Sequence, residues 1–521
     1  MKALLFTAAL MAAPATAATH TYTNPILYAD YSDPDVIRAG RDYYLVASSF
    51  HFSPGIPVLK SSDLVHWRIA GHVLPRLNFS PSYDMVPPFI LTDAASKPVG
   101  KGLRYAGGVW APAIRHHNGL FYVYWPTPDE GIFMATARTP EGPWSRPVPV
   151  LSGPGYEDPC PFWDDDGQAW LIHSKVGAGP LILHRMSPDG TKVLDSGKLI
   201  VEDKVNLPVL EGPKLYKRNG WYYIFAPVGG VDRGGQAVGR SRDIHGPYEW
   251  KTVLEKGSTS VQGPHQGGYV ETPAGQGWFI HFNSTGAFGR IDYLEPVRWQ
   301  DDWPVMGDNG QPVTTHAAPD TGAWTNDRLQ ASDEFSSAKL GPQWEWNHNP
   351  DDTRWSLKAR RGYLRLTAGP ADQLVQARNT LTQILQGPSS TVTVRLDLSH
   401  MADSQRAGLV LFGVKPVWLG AVRDGGKTHL TYASAGVETP GPDIAGTVQI
   451  RAGVAAGQTA RFSYSTDGQT FTPFGDTVPL ARFSWWKGSR PGLFTYIKAA
   501  PGADVPNGYV DIDWVHVEVG Q

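Results

Sequence analysis

Five segments of the chain begin with a residue that could take part in chemistry, and three of these residues are acidic. They are Asp33 in Ser-Asp-Pro-Asp, Trp110 in Val-Trp-Ala-Pro, Asp158 in Glu-Asp-Pro-Cys, Glu211 in Leu-Glu-Gly-Pro and His265 in Gly-Pro-His-Gln. Carboxyl groups that lie close together raise one another's pKa, so one can stay protonated while another is ionised. If the segments converge in space, they supply a general acid and a general base, the pair that hydrolysis of a glycosidic bond uses.

The five segments belong to a repeat that explains how they could converge. Each leads into an aromatic-rich strand, and these strands are residues 42–46, 120–124, 168–172, 221–225 and 277–280. The dipeptides Asn118-Gly119, Asp166-Gly167 and Asn219-Gly220 precede three of the strands and indicate tight hairpins. A recurrence of roughly 50 residues with several short strands is typical of propeller blades, and a sandwich would not explain it. The sequence therefore predicts a five-bladed β-propeller over residues 19–315, whose channel-lining strands bring the five residues to one end of the axis.

The sequence changes character after Trp303. Residues 305–330 are rich in Gly, Pro, Thr and Asp, and we place a linker at 316–330. Strands with an alternating pattern dominate residues 331–521, which predicts a β-sandwich. The predicted fold class is thus all-β, a five-bladed β-propeller followed by a β-sandwich domain. Glu334 and Asp513 in the second domain are candidates to share a structural ion.

Composition limits the class of protein and its partners. A single core rarely grows beyond about 250–300 residues, so a chain of 521 residues should form at least two domains. The net charge is -3 without a basic stripe, which argues against nucleic acid as a partner. The 19 Trp and 21 Tyr suit a protein that stacks aromatic rings on sugars, although aromatic residues also fill β cores. Nothing in the sequence predicts the oligomeric state.

The first residues have the features of a secretory signal peptide. Lys2 is followed by a mostly apolar run over residues 3–13 and then by Ala15-Thr16-Ala17, a small-residue cleavage site. The run is too short to span a membrane. We therefore expect residues 1–18 to be removed and the protein to be exported to the periplasm or the extracellular space. The single cysteine, Cys160, excludes an internal disulfide, which favours a bacterial source.

Six segments carry a resemblance to a known family. They are residues 31–37 (YSDPDVI), 52–55 (FSPG), 109–113 (VWAPA), 157–162 (EDPCPF), 211–214 (EGPK) and 263–267 (GPHQG). In this order and spacing, the chain from Asn24 to Trp303 resembles glycoside hydrolase family 43. The resemblance implies a five-bladed propeller and inversion of the anomeric centre. It further implies that Asp33 is the general base, that Glu211 is the general acid, and that Asp158 holds the sugar and raises the pKa of the acid.

Four further residues are candidates for binding the sugar. Phe50 and Trp110 could form the hydrophobic wall of the first sugar site, with core packing as the alternative for Phe50. Arg290 matches an arginine that contacts the sugar in the family, and its alternative is a surface ion pair. His265 would orient the carboxylates near the axis or hold an ion through water, or it is a core histidine. Some similar proteins hold calcium at this position, so a structural Ca²⁺ stays open, whereas the chemistry requires no cofactor.

The resemblance implies an exo-acting xylan 1,4-β-xylosidase that releases xylose from xylo-oligosaccharides. An α-L-arabinofuranosidase acting on arabinoxylan or arabinan fragments is the alternative, because the two sugars place similar atoms around the scissile bond. A non-catalytic carbohydrate-binding propeller, from another functional class, would tolerate loss of the carboxylates, and all three are present. The C-terminal module either closes one side of the pocket, which favours attack at chain ends, or serves as a stabilising or sugar-binding appendage.

Overall fold

The computed structural model describes residues 20–87 and 103–520. The signal peptide expected at residues 1–18 lies outside this part of the chain. Regular structure here is almost entirely β-strand, apart from short 3₁₀ helices at Pro81–Asp84, Gly286–Phe288 and Leu374–Gln376. No helix within the described residues is long and apolar enough to cross a membrane. The predicted all-β class is confirmed.

Five antiparallel sheets of four strands follow one another in the described part of the chain and form the blades of a propeller. A short strand, β1 (Thr21–Thr23), precedes them. The first blade contains β2 (Asp35–Ala39), β3 (Asp42–Val46), β5 (Gly55–Ser61) and β6 (Arg68–Leu74), with β4 (Phe52–Ser53) outside the blade. The second contains β7 (Ala113–His117), β8 (Leu120–Thr127), β9 (Gly131–Ala137) and β10 (Val148–Ser152), and the third β11 (Tyr156–Trp163), β12 (Ala169–Lys175), β13 (Leu181–Met186) and β14 (Lys198–Val201). The fourth contains β15 (Lys214–Arg218), β16 (Trp221–Val228), β17 (Gly235–Ser241) and β18 (Glu249–Leu254), and the fifth β19 (His265–Glu271), β20 (Gly277–Ser284), β21 (Arg290–Gln300) and β22 (Trp303–Met306).

Tight hairpins explain why the aromatic-rich segments are the second strands of the blades. Asn118 and Gly119 have φ of 48° and 75°, and Asn219 and Gly220 have φ of 51° and 70°. A two-residue turn in which both φ values are positive matches the twist of the strands on either side. These turns pair β7 with β8 and β15 with β16. The repeat seen in the sequence is therefore the propeller blade.

The two ends of the propeller are joined by a short pair of strands. β23 (Thr315–Ala317) pairs with β1, and Tyr22 lies opposite His316. The Asn24 side chain donates to Leu294 O and Val313 O, both at 2.9 Å, which ties the start of the chain to the fifth blade. The pairing continues to Ala317, two residues into the segment that the sequence assigned to the linker.

The first strand of each blade lies near the axis. β2 packs beside β7 and β19, and β11 packs beside β7 and β15. The residues singled out from the repeat stand at the starts of these strands: Asp33 before β2, Trp110 before β7, Asp158 early in β11, Glu211 before β15 and His265 at the start of β19. One end of the axis therefore collects all five positions.

Two sheets form the C-terminal domain. Its strands are β24 (Glu345–Asn347), β25 (Trp355–Ser356), β26 (Leu364–Thr367), β27 (Gly369–Ala371), β28 (Leu381–Thr382), β29 (Ser389–Asp397), β30 (Gln405–Phe412), β31 (Val417–Asp424), β32 (Lys427–Ser434), β33 (Val437–Asp443), β34 (Thr447–Val454), β35 (Thr459–Ser465), β36 (Thr472–Pro473), β37 (Val478–Pro479), β38 (Arg490–Lys498) and β39 (Tyr509–Gly520). One sheet has the order β33-β32-β31-β30-β38-β28-β24-β4, with β27 beside β38, and the other has the order β25-β26-β39-β29-β34-β35-β36, with β37 beside β35. Leu419 and Leu493 of the first sheet and Val394, Ile450 and Ile512 of the second are buried in one core between them. The predicted β-sandwich is confirmed.

The two domains share a sheet and a buried loop. β4, which the propeller supplies, pairs with β24 of the sandwich, so that Phe52 lies opposite Asn347. The loop before β38 reaches into the propeller, where Lys487 is buried and Trp486 lines a cavity. The sandwich is thus part of the wall around the end of the axis.

Candidate active site

A cavity of about 460 Å³ opens at the end of the axis where the inner strands begin. Four of the five residues from the repeat line it, namely Asp33, Trp110, Asp158 and Glu211. The fifth, His265, is fully buried and lies outside the lining, with Nε2 3.3 Å from Glu211 Oε1. The sequence grouped His265 with the substrate-binding residues, whereas the structure places its ring behind the Glu211 carboxyl group. Its neighbour Gln266 lines the cavity instead.

Asp33 is held through both oxygens of its carboxyl group. Ser48 Oγ donates to Oδ2 at 2.5 Å, and Arg290 Nη1 donates to Oδ1 at 2.7 Å. Asp33 also has a left-handed backbone, with φ of 56°, which is uncommon for a residue other than glycine. Arg290 is only 6% exposed, so its pair with Asp33 is buried at the cavity and is not the surface ion pair that the sequence left as an alternative.

An irregularity in β11 turns two consecutive carboxyl groups toward the cavity. Side chains alternate along a regular strand, but the pairing of β11 with β12 shifts register between Glu157 and Cys160, and Asp158 has φ of 54°. Both Glu157 and Asp158 consequently line the cavity. Gly212 N donates to Asp158 Oδ2 at 2.8 Å, and Ala178 N donates to Glu157 Oε1 at 2.9 Å.

Burial and crowding make these two carboxyl groups hard to ionise. Burial raises the pKa of Asp158 to about 7, the charge of Glu211 adds to this effect, and Lys214 opposes it. Burial raises the pKa of Glu157 to about 9, and the charges of Asp158 and Glu211 add to the shift. One carboxyl oxygen from each of Glu157, Asp158 and Glu211 lies within 4.8 Å of the other two. At neutral pH the cluster therefore retains a proton, which a general acid requires.

The position of Glu211 depends on the close packing of the next residue, Gly212, against the Gln266 side chain. The Glu211 N–H donates to Pro227 O at 3.3 Å, and its side chain stays 19% exposed. The next residue, Gly212, has φ of 57°, and a Cβ added there would lie 2.8 Å from the Gln266 side chain. Glycine is the residue that fits both the backbone conformation and the contact. A larger residue would displace Glu211 or Gln266 from the cavity.

Aromatic rings from both domains form the wall of the cavity. The ring centroids of Phe50 and Trp110 lie 6.4 Å apart. Phe50 is buried and also lines the cavity, so it combines the two roles that the sequence left open. Trp486, from the sandwich, is 41% exposed, and its ring centroid lies 5.9 Å from the Arg290 guanidinium carbon. The sandwich therefore closes one side of the cavity.

Three cavity residues with polar or aromatic side chains were missed by reasoning from the sequence: Glu157, Gln266 and Trp486. Gln266 Nε2 is buried without a hydrogen-bond partner among the described residues, as is Arg290 Nε. Glu157 could be found only by foreseeing the bulge next to it. The Trp485-Trp486 pair in the loop was the available signal for the third, but the sequence gives no indication of which domain the loop contacts.

The surroundings of His265 bear on the ion that the sequence left open. Both of its ring nitrogens are buried without a hydrogen-bond partner in the part of the chain that the structure describes, so neither hydrogen-bonding capacity is used by the protein there. Calcium takes about six to eight oxygen ligands. Among the described residues, the one group of three close acidic or imidazole ligands is the Glu157, Asp158 and Glu211 cluster. Calcium beside His265 would depend on water ligands, and it stays a prediction.

The two sandwich carboxylates that could share an ion each lie beside a basic side chain. Glu334 Oε1 lies 2.6 Å from His516 Nε2, and Asp513 Oδ2 lies 2.5 Å from Arg395 Nη1. Each carboxylate therefore has its own partner. A structural ion shared by Glu334 and Asp513 stays a prediction.

Comparisons with known proteins agree with both domains. The family described as Glycosyl hydrolases family 43 matches residues 22–304, and the Beta xylosidase C-terminal Concanavalin A-like domain matches residues 332–518. A putative β-xylosidase from Xylanibacter ruminicola is 43% identical over 92% of this chain and 87% of that protein. A β-xylosidase from Formosa agariphila is 36% identical over 95% of this chain and 90% of that protein. The crystal structure of a GH43 protein from Bacillus licheniformis has a TM-score of 0.79 at 28% identity, and the match covers 96% of this chain and 99% of that one.

Proposed function

Because the chain belongs to glycosyl hydrolases family 43, we propose that it is an exo-acting xylan 1,4-β-xylosidase, which releases xylose from the non-reducing ends of xylo-oligosaccharides with inversion. The observation that carries the proposal is the meeting of Asp33 and Glu211 in one aromatic-lined cavity that the sandwich closes on one side. The names of the two relatives above, a putative β-xylosidase and a β-xylosidase, support xylose as the sugar.

The proposed reaction uses one carboxyl group on each side of the scissile bond. Glu211 donates its proton to the leaving oxygen as the bond to the anomeric carbon breaks. Asp33 accepts a proton from a water molecule, whose oxygen forms the new bond to that carbon. Ser48 and Arg290 fix the orientation of the Asp33 carboxyl group, so the water is held for attack in one direction. The reaction adds one water across the bond and needs no cofactor.

Asp158 is proposed to hold the sugar beside the acid. Its Oδ2 accepts from Gly212 N, the residue after Glu211, so one backbone contact sets the spacing of the two carboxyl groups. Its Oδ1 has no hydrogen-bond partner among the described residues and can accept from a sugar hydroxyl. Gln266 and Arg290 line the same cavity, so their side chains can contact other parts of the same sugar.

The position of Trp486 supports attack at chain ends. Its ring adds to the cavity wall on the sandwich side, and we infer that it limits continuation of a substrate chain there. Val176 and Val209, each 45% exposed, line the cavity at an open rim that can admit the rest of the chain. A pocket closed on one side and open on another binds the end of a chain better than its middle.

Hydrolysis of aryl glycosides tests the proposed substrate. The full chain would be incubated with an aryl β-xyloside and an aryl α-L-arabinofuranoside between about pH 4 and 9, and with xylobiose. We expect cleavage of xylobiose and a higher kcat/KM for the xyloside. A higher value for the arabinofuranoside would favour the α-L-arabinofuranosidase. No release from either aryl glycoside would leave the carbohydrate-binding alternative.

Proton NMR tests the proposed stereochemistry. The first sugar released from a β-xyloside should be α-xylose, because water enters on the face opposite the leaving group. If β-xylose appeared first, the inverting mechanism would be wrong, and Asp33 would have to act as a nucleophile.

We also propose that the protein is exported from a bacterial cell, on the basis of the features of residues 1–18. After expression of the full chain in a bacterial host, the protein should be found in the periplasm or the medium, with a new N-terminus near residue 19. Full-length protein that stays in the cytoplasm would contradict the proposal.

A further inference from the structure

Glu157 has no part in the acid–base chemistry above, yet its carboxyl group faces the cavity. Glu157 as a whole is only 4% exposed. In a regular strand it would point to the side opposite Asp158, and the bulge in β11 is what turns it toward the cavity. Bulges are common next to active sites, where they redirect a side chain. The bulge therefore points to a use for Glu157.

The two carboxyl oxygens of Glu157 have different surroundings. Oε1 accepts from Ala178 N at 2.9 Å and from Ser174 Oγ at 3.4 Å. Oε2 takes no part in these two hydrogen bonds, and it is not among the atoms that the protein encloses completely. One oxygen thus anchors the side chain, and the other is open to the cavity.

The neighbours of Glu157 place it beside the bond that is cut. Glu211 and Asp158 each offer a carboxyl oxygen within 4.8 Å of it. Burial, together with the charges of these two groups, raises the pKa of Glu157 to about 9. At neutral pH the group is therefore an uncharged carboxylic acid, which can both donate and accept a hydrogen bond.

We propose that Glu157 is a further substrate-contacting residue, whose free carboxyl oxygen binds a sugar hydroxyl next to the glycosidic oxygen that Glu211 protonates. The inference rests on the proposed glycosidase function and adds a determinant of substrate choice. A site built to hydrogen-bond a hydroxyl discriminates against a sugar without it, because the buried partner is then left unpaired. Glu157 would select sugars that carry a hydroxyl at this position.

Paired changes in enzyme and substrate test the contact. Wild type, Glu157→Leu and Glu157→Gln would be compared on xylobiose and on xylobiose analogues that each lack one hydroxyl. For wild type, one analogue should lose about tenfold or more in kcat/KM. Glu157→Leu should lose a similar factor on xylobiose and nothing further on that analogue. Glu157→Gln keeps a donor and an acceptor and should stay within about threefold of wild type.

Glu295→Gln is the matched control. Glu295 is also a buried carboxyl group with a pKa raised by burial, it lies 3.3 Å from His281, and it is outside the cavity lining. We expect this variant to keep the wild-type kcat/KM and the wild-type profile across the analogues. If Glu295→Gln changed kcat/KM and the analogue profile as Glu157→Leu does, the assay would respond to the loss of any buried carboxyl group, and the proposal would be abandoned.

Two results would overturn the inference. One is that removing any hydroxyl of xylobiose lowers kcat/KM by the same factor in wild type and in Glu157→Leu. The other applies if circular dichroism shows that Glu157→Leu is unfolded. Glu157→Gln then decides, because glutamine keeps a donor and an acceptor for the hydroxyl, and a kcat/KM below about a hundredth of wild type would exclude the contact. Failure of the glycosidase function is separate, because wild type would then hydrolyse nothing. In that case the same set of variants and analogues would be compared by their binding affinities, measured from the change in tryptophan fluorescence, to which Trp110 and Trp486 in the cavity contribute.

Discussion

Replacing Lys487 by methionine should loosen the sandwich loop from the propeller. Lys487 Nζ donates to Asp30 O at 2.8 Å, to Ser32 Oγ at 3.1 Å and to Ser48 O at 3.2 Å, and it lies 3.5 Å from Asp30 Oδ1. The lysine side chain is 2% exposed, so bulk water does not replace these contacts when they are lost. Methionine keeps much of the apolar stem and removes the charge and the donors.

The size of the effect follows from the partners that remain. Breaking a buried ion pair by removing one member costs about 3–5 kcal/mol, because the other charge is left uncompensated. Asp30 would keep N–H donors from Gly488 at 2.7 Å and from Arg290 at 3.1 Å. Burial also lowers the pKa of Lys487, so desolvation already offsets part of its pairing. Both facts place the expected loss at the low end, about 3 kcal/mol.

The Lys487→Met substitution should also weaken substrate binding in the cavity. Trp486 precedes Lys487 and lines the cavity, and Ser48, whose carbonyl accepts from Lys487, donates through Oγ to Asp33. We expect KM for xylobiose to rise more than kcat falls, because the wall around the sugar is displaced while the acid stays in place.

Urea unfolding followed by tryptophan fluorescence, together with steady-state kinetics, would measure both effects. The control is Lys204→Met, whose side chain is 80% exposed and, among the described residues, pairs with Glu202 alone, at 3.4 Å; its stability should stay within about 0.5 kcal/mol of wild type. A loss below about 1 kcal/mol for Lys487→Met, with KM unchanged, would refute the reasoning, since this is what an exposed ion pair gives.

The acid, the base and a buried interface histidine each have a measurable consequence. Glu211→Ala should lose most of its kcat on xylobiose, whose leaving group needs a proton, and much less on an aryl xyloside with an acidic phenol; equal losses would contradict the acid role. Asp33→Ala should abolish turnover of both substrates, because water must always be activated, and a substantial rate on the aryl xyloside would exclude Asp33 as the base. His348 of the sandwich accepts at Nε2 from Arg104 N of the propeller at 2.8 Å. Burial lowers the pKa of His348 to about 3, so the folded state resists its protonation. The unfolding free energy should then fall as the pH drops from about 6.5 toward 3, by at most about 1.4 kcal/mol per pH unit for this group. His348→Gln should reduce that slope in urea titrations at several pH values, and an unchanged slope would assign the effect to other groups.

The propeller could be predicted because its signal is local and repeated. The Asn-Gly turns and the aromatic-rich strands lie within one blade, so each copy supports the others. The sandwich could be predicted only as a class of fold. The pairing of β4 with β24 joins residues that are far apart in the chain, and alternation within each strand carries no information about its partner. The insertion of Lys487 into the propeller was unpredictable for the same reason.

The candidate site was predictable where symmetry places a residue and not where the backbone departs from the regular pattern. Asp33, Asp158 and Glu211 occupy matching positions of the repeat, and closure of the ring brings them together. Glu157 is adjacent to one of them, and alternation assigns it to the other face of the strand. His265 occupies a matching position too, but the left-handed residue after it, Gln266 with φ of 40°, takes the place at the cavity.

Left-handed backbone conformations recur around the cavity, and the fold has to maintain them. Seven of the lining residues other than glycine have φ between 40° and 70°: Asp33, Phe50, Asp158, Ala178, Val209, Gln266 and Trp486. Each such residue costs about 1–3 kcal/mol and persists only where its surroundings determine it. Phe50 and Val109 exchange backbone hydrogen bonds at 2.8 and 3.0 Å, Arg290 holds Asp33, and buried Lys487 holds the loop that carries Trp486. The blades and the docked sandwich therefore do more than bring the carboxyl groups together, because they also maintain the strained conformations that aim those groups at one point. For this reason Lys487, which does not line the cavity, should affect substrate binding when it is replaced.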